Sequence, residues 1–121
     1  MEKMIGIGLL GLGTVGAGVA KIIQTPDGRN PLIQNIQLRK VAVKTLNKPR
    51  SISIDKEILT ENPQEVVIDP FVDVVVEVMG GIEPARSLIL EAIKSGKSVV
   101  TANKAVIARH GPEIANAAKE A

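Results

Sequence analysis

Three glycines stand two and three residues apart in the run Gly11-Leu12-Gly13-Thr14-Val15-Gly16. An apolar stretch, Met4–Leu10, precedes them, and a segment with helical apolar spacing follows. In that setting the Gly-x-Gly-x-x-Gly pattern has a chemistry, which is anion binding. The first glycine permits a tight turn, the second lets the backbone come up to a pyrophosphate, and the third lets the following helix lie close to the strand. The helix start adds free N–H groups and a partial positive charge. A hexapeptide of this type is a weak signal alone, and its weight comes from the strand before it and the helix behind it. Gly11, Leu12, Gly13, Thr14, Val15 and Gly16 are therefore candidate dinucleotide-binding residues.

A second set of residues bears on which dinucleotide. Between Gly28 and Ile54 there is no Asp or Glu, but there are Arg29, Arg39, Lys40, Lys44, Lys48 and Arg50. A site that prefers NAD carries an acid at the end of its second strand, where it binds the ribose hydroxyls. Here that strand ends at Val43-Lys44-Thr45. Lys44, Lys48 and Arg50 are placed to meet a 2′-phosphate instead, so the expected preference is NADP(H) over NAD(H). An ordinary solvated basic loop has the same composition.

Two further segments would sit at strand ends, where open α/β sheets bind ligands. One is Val78-Met79-Gly80-Gly81, whose glycines leave room for a ring. The other is Thr101-Ala102-Asn103-Lys104. Lys104 falls near a helix start, where the dipole does not favour a cation, so a cofactor or substrate group is a reason for it to be there. Glu77 interrupts an apolar run and needs a hydrogen-bonding or charged partner if buried. It is expected to be structural, anchoring the loop that follows or pairing with a lysine. His110 is the sole histidine, at an expected helix end, and has no neighbours at metal-ligand spacing. No metal site is expected.

The elements that must position these residues alternate between strand and helix. Strands are expected over Met4–Leu10, Ile36–Lys44, Asp73–Val78 and Ser98–Thr101. Gly6 and Gly8 share one face of the first, which lets a helix approach closely. The helix Val15–Gln24 carries Val15, Val19, Ile22 and Ile23 at core spacing, and Thr25-Pro26-Asp27-Gly28 stops it. The helix Pro84–Ser95 has the stripe Ala85, Leu88, Ile89, Ala92 and Ile93, with Gly96 as its end. Asn103 caps a short helix that ends near Gly111, and Pro112 opens another. Residues 51–72 read as irregular, apart from a short helix near Lys56–Leu59. The order implies a single α/β domain over residues 1–121, a doubly wound, mainly parallel Rossmann-type sheet with helices on both faces.

Composition excludes several alternatives. The chain has 121 residues, 45% of them hydrophobic, with Phe71 the sole aromatic and no cysteine. A core of Val, Ile, Leu, Ala and Gly suits buried parallel strands. Disulfides and thiolate metal sites are ruled out. A net charge of +2 and the lack of an aromatic platform argue against nucleic acid. No run approaches the ~18 apolar residues of a membrane span, and the first apolar stretch lacks a signal peptide's flanks. A cytoplasmic location is expected.

Taken together, these segments resemble homoserine dehydrogenase. The resemblance rests on Gly11–Gly16 with Gly18-Val19, on Val41-Ala42-Val43, on Asp73-Val74-Val75-Val76-Glu77-Val78-Met79-Gly80-Gly81, and on Gly96-Lys97-Ser98-Val99-Val100-Thr101-Ala102-Asn103-Lys104-Ala105. It implies NAD(P)-dependent interconversion of aspartate 4-semialdehyde and homoserine, toward threonine, isoleucine and methionine. It implies that Gly11–Gly16 hold the pyrophosphate. Met79, Gly80, Gly81 and Thr101–Lys104 would lie beside the nicotinamide, with Lys104 contacting the cofactor or orienting the substrate. Family members continue into a dimerising catalytic domain that supplies the substrate-binding acids and another lysine. These 121 residues alone are accordingly expected to bind cofactor as a monomer and to turn over little substrate. The glucose-fructose oxidoreductase family also places a lysine after this strand, but within Glu-Lys-Pro. Asn103-Lys104-Ala105 favours homoserine dehydrogenase. A stand-alone dinucleotide-sensing module is the reading from another class, and a sensor has no need of a hydride-transfer crevice.

Overall fold

A computed structural model describes residues 4–25, 35–46 and 52–121. Lys48, Arg50 and the expected stop at Pro26-Asp27-Gly28 lie outside the described residues. The strands are β1 (Ile5–Leu10), β2 (Ile36–Ala42), β3 (Leu59–Thr60), β4 (Val74–Glu77) and β5 (Ser98–Thr101). The helices are α1 (Thr14–Gln24), α2 (Gln64–Ile68), α3 (Ala85–Lys94) and α4 (Lys104–Glu120), with a 3-10 turn over Lys56–Ile58. All the strands are parallel, in the order β3-β2-β1-β4-β5. This is the order of a Rossmann sheet, with β1 at the centre.

The helices divide between the two faces as the alternation of side chains requires. On one face Ile7, Leu9, Leu38 and Val41 pack with Ala20 of α1. On the other, Leu10, Ala42 and Val75 pack with Val66 and Val67 of α2 and with Leu88 and Ala92 of α3. A third cluster joins Ile89 and Ile93 of α3 to Val106 of α4. Leu9, Leu10 and Ile89 are completely buried, each stabilising the fold by about 1.5–3 kcal/mol.

The stripe expected on α3 is the buried one, residue for residue. Gly96 closes that helix at φ +83. Its N–H bonds to Ile93 O, and the Lys97 N–H bonds to Ala92 O, the pair of bonds that satisfies the last free carbonyls of a helix. The glycines of β1 do admit a close neighbour. A side chain on Gly6 would overlap the Phe71 carbonyl, and one on Gly8 would strike Val66 and Val72. The neighbour is thus the α2–β4 segment.

Three expectations need correction. Val15 and Ile22 of α1 are 56% and 40% exposed; the buried residues of that helix are Gly16 and Ala20. Val19 and Ile23 of the expected stripe do pack against the core, but the line that meets the sheet most closely is the small-residue one, and Val15 and Ile22 turn outward. Strand β2 ends at Ala42, two residues before Lys44. Residues 51–72 hold β3 and α2 as well as the 3-10 turn. The break expected near Gly111 is present: Asn103 caps a first helical segment, the backbone leaves helical geometry at His110, where φ is −128 and ψ is 15, and a second segment continues through Pro112, the two together making α4.

Candidate dinucleotide site

Strand β1 pairs with β2 on one side and β4 on the other. The chain winds outward from this centre in both directions, so the loops leaving β1 and β4 part and open a crevice beyond the strand ends. A cleft of about 610 Å³ lies there, a size suited to a cofactor-sized ligand. Gly11, Leu12, Gly13 and Thr14 form its floor.

The glycines of that floor do three different things. Gly11 has φ +105, a left-handed conformation that glycine adopts without steric cost, and its N–H bonds to Ala42 O. Gly16 has no room for a side chain, because a Cβ would overlap the Gly11 carbonyl and crowd Val78. Gly13 has nothing within 4 Å of where its Cβ would be. It is the N-cap of α1, with no side-chain cap, so the first N–H groups of the helix are left without acceptors. An open floor edged by free donors suits a pyrophosphate.

The far wall comes from the ends of β2 and β3. Val43, Lys44 and Thr45 line it, together with Glu61 and Pro63. Of the six bases between Gly28 and Ile54, Lys44 is the one among the described residues that reaches the cleft. Arg39 lies over the Phe71 ring at 4.8 Å, and Lys40 pairs with Glu65 of α2 at 3.7 Å. Glu61 accepts a 2.8 Å hydrogen bond from the Leu46 N–H. Sequence reasoning missed Glu61 because it arrives from a two-residue strand with no periodicity of its own.

The near wall carries Val78, Met79 and Pro84. Behind it Glu77 is completely buried. One of its carboxyl oxygens accepts from Thr101 Oγ1 at 2.5 Å. The other accepts from the Met79 N–H at 2.9 Å and from Asn103 Nδ2 at 3.4 Å. Asn103 Nδ2 also donates to Gly81 O at 2.5 Å, and its Oδ1 caps α4 by accepting from Val106 N. Glu77 thus anchors the loop that follows it, as expected, and among the described residues no lysine is its partner. Gly80 and Gly81 have φ +78 and +74 and sit outside the cleft's lining, as do Thr101 and Asn103, whose side chains face the Glu77 network. Lys104 is exposed at the first position of α4, with no carboxylate beside it among the described residues.

A second polar group secures the turn after β4. Arg86 makes a two-pronged contact with Glu113 of α4 at 2.7 and 2.8 Å and reaches Glu83 at 3.0 Å. The Ser87 hydroxyl and the Arg86 guanidinium hold the Glu83 carboxyl below its usual value. Arg86 does the same for Glu113, and these carboxylates raise Arg86 in turn. His110 Nδ1 lies 3.4 Å from Glu113, which gives the sole histidine a structural neighbour. Among the described residues no three potential ligands gather to hold a metal, and no helix is long and apolar enough to cross a membrane.

Residues 11–121 match the family profile described as homoserine dehydrogenase, NAD binding domain. The chain belongs to this family. As a homoserine dehydrogenase domain it is 56% identical to the Synechocystis homoserine dehydrogenase over 114 residues, 94% of this chain and 26% of that protein. It is 47% identical to the Bacillus subtilis enzyme, over 98% of this chain and 28% of that one. The chain therefore spans about a quarter of the length of the curated relatives it matches. Among solved structures, S. aureus homoserine dehydrogenase superposes with a TM-score of 0.87 at 39% identity, covering 99% of this chain and 31% of that one. The homoserine dehydrogenase domain accordingly takes a nicotinamide dinucleotide, and the open floor at Gly13 with the uncapped start of α1 fits the pyrophosphate of such a group.

Proposed function

We propose that this chain provides the cofactor-binding part of a homoserine dehydrogenase. When bound, the dinucleotide supplies the hydride chemistry that interconverts aspartate 4-semialdehyde and homoserine. The observation that carries the reading is the Gly11–Gly16 turn. It stands at the switch point of the sheet, and its three glycines are tight, open and tight in the order a pyrophosphate needs.

In this reading Gly11, Leu12, Gly13, Thr14, Val15 and Gly16 hold the pyrophosphate, through backbone N–H groups at the start of α1. Met79, Gly80, Gly81, Thr101, Ala102 and Asn103 shape the nicotinamide end. Lys104, an exposed ammonium without a neutralising partner among the described residues, orients the substrate or a cofactor amide. Lys44, with Lys48 and Arg50, favours NADP(H) by meeting its 2′-phosphate. The cleft's own charged residues, Lys44 and Glu61, stand at the end away from Lys104. These 121 residues accordingly bind cofactor as a monomer and turn over little substrate on their own. In this reading the dimer and the remaining acid–base groups that the family resemblance implies fall in the part of the relatives' length that this chain does not span. A biosynthetic reaction of free metabolites fits the cytoplasm.

Calorimetric titration of the chain with NADPH and NADH at matched ionic strength tests this. NADPH is expected to bind more tightly, and Lys44→Glu to weaken NADPH more than NADH. Binding of neither dinucleotide would remove the reading. Equal or tighter NADH binding would remove the preference alone, and steady NADPH consumption with aspartate semialdehyde would remove the claim of low turnover.

A further inference from the structure

The far wall of the cleft carries charges of opposite sign on adjacent strands. Val43 N–H bonds to Thr60 O at 2.8 Å, which continues the β2–β3 pairing past the strand ends and brings Lys44 and Glu61 to the same stretch of wall. The backbone around Glu61 is fixed on both sides. Thr60 Oγ1 accepts from the Asn62 N–H at 3.0 Å, and Asn62 Oδ1 accepts from the Gln64 N–H at 3.1 Å, two local turns of the kind these side chains favour. One carboxyl oxygen of Glu61 is taken by the Leu46 N–H. The other makes no hydrogen bond among the described residues, and the side chain is exposed. Lys44 is not neutralised by Glu61, for it enters none of the ion pairs among the described residues.

In a sheet of this order the adenosine ribose lies beyond the end of β2, where an acid binds its hydroxyls and a base suits a 2′-phosphate. Both kinds of group are present here. We propose that Glu61 is a specificity-determining residue at the adenosine end of the cleft: its free oxygen accepts from the ribose hydroxyl of NAD(H) and opposes the 2′-phosphate of NADP(H), restraining the preference that Lys44 creates. This rests on the cofactor reading given above. Through Leu46 the same carboxylate also ties down the segment that carries Lys44, so charge and anchoring have to be separated.

Glu61→Gln separates them, because the amide oxygen still accepts from Leu46 while the charge is gone. Titrations with NADPH and NADH at low and high salt are expected to show the NADPH-to-NADH affinity ratio rising about two- to fivefold in Glu61→Gln at low salt, the size typical of an exposed charge interaction. The change should shrink as salt screens the interaction. Glu61→Ala, which removes both charge and anchor, should shift the ratio in the same direction. An unchanged ratio in Glu61→Gln would overturn the proposal. So would a shift confined to Glu61→Ala, which would make Glu61 an anchor only. If the unaltered chain bound neither dinucleotide, the cofactor reading would fail and this inference with it; if the chain bound them but Glu61→Gln left the ratio alone, only this inference would fail.

Discussion

The turns after β1 and β4 border one crevice, yet they are built by opposite means. Around Gly11–Gly16 the geometry depends on side chains that are missing: the Gly11 carbonyl fills the place a Cβ on Gly16 would take, and open space lies over Gly13. Around Glu77 it depends on side chains that are present, with three donors converging on one buried carboxyl. The difference follows from what each turn must do. A turn that admits a phosphate presents bare backbone N–H groups, so its shape has to come from sterics alone. Two turns from neighbouring strands need a fixed mutual position, and buried hydrogen bonds supply it because breaking any one leaves an unpaired polar group.

The comparison predicts that the Glu77 region is the more fragile to substitution. Glu77→Ala leaves the Met79 N–H, the Thr101 hydroxyl and the Asn103 amide without their acceptor and opens a cavity. A loss of about 3–4 kcal/mol in unfolding free energy is expected by urea denaturation. Glu77→Gln keeps the volume and one acceptor oxygen, so about 1–2 kcal/mol is expected. Amide exchange at Met79 should rise in both variants. If Glu77→Ala unfolded at the same urea concentration as the unaltered chain, the network would be ornamental and the contrast would fail.

Within the glycine turn, the tight and open positions should respond in opposite ways. Gly16→Ala forces a Cβ against backbone, which cannot move aside as a flexible side chain does, and about 2–3 kcal/mol of destabilisation is expected. Gly13→Asp should leave thermal stability unchanged or slightly raised, since aspartate is a good N-cap and nothing crowds the position. The same substitution sets a carboxylate against the pyrophosphate, and dinucleotide affinity should fall by about a hundredfold or more. A paired thermal melt and titration checks both. A Gly13→Asp chain that melts early would mean that the floor is not open, and one that still binds would move the pyrophosphate elsewhere.

Much of this was legible in the sequence. The glycine turn could be read because each glycine has one steric reason, and α3 because its stripe of Ala85, Leu88, Ile89, Ala92 and Ile93 runs for three turns. The Glu77 anchor could be read because a carboxyl in a valine strand has to find partners. Strand β3 has two residues and α2 has five, each shorter than the window in which periodicity shows. With β3 went Glu61, whose place on the cleft wall depends wholly on that pairing. On α1 the β-branched residues drew attention to Val15 and Ile22, whereas close packing of a helix over a glycine turn selects its smallest residues, Gly16 and Ala20. Gly80 and Gly81 read as room for a ring. In the structure they lie outside the cleft's lining, and Gly81 offers a carbonyl to Asn103, a backbone role with no signature in the residue type.

The Arg86 cluster shows what burial contributes to the Glu77 network. It too joins a turn after β4 to α4, and its geometry is at least as good, with a two-pronged Arg86–Glu113 contact. It differs in being open to water, where ion pairs are weak and screened. Its effect should therefore be the smallest of those considered, and it should depend on pH in a definite direction. Glu83 and Glu113 have folded-state values below the ordinary 4.5. Groups with depressed values contribute stability that is fully present above the ordinary value and is lost as pH falls through the depressed one. The difference in melting temperature between the unaltered chain and Arg86→Ala should thus be positive but small near neutrality, and vanish as pH is lowered through the depressed values of the two carboxyls. Added salt should reduce it as well. The stability loss of Glu77→Ala should lack this salt sensitivity, because its partners are neutral donors screened from solvent. If Arg86→Ala proved as costly as Glu77→Ala at neutral pH, hydrogen-bond geometry rather than burial would be what holds the turns of this crevice together.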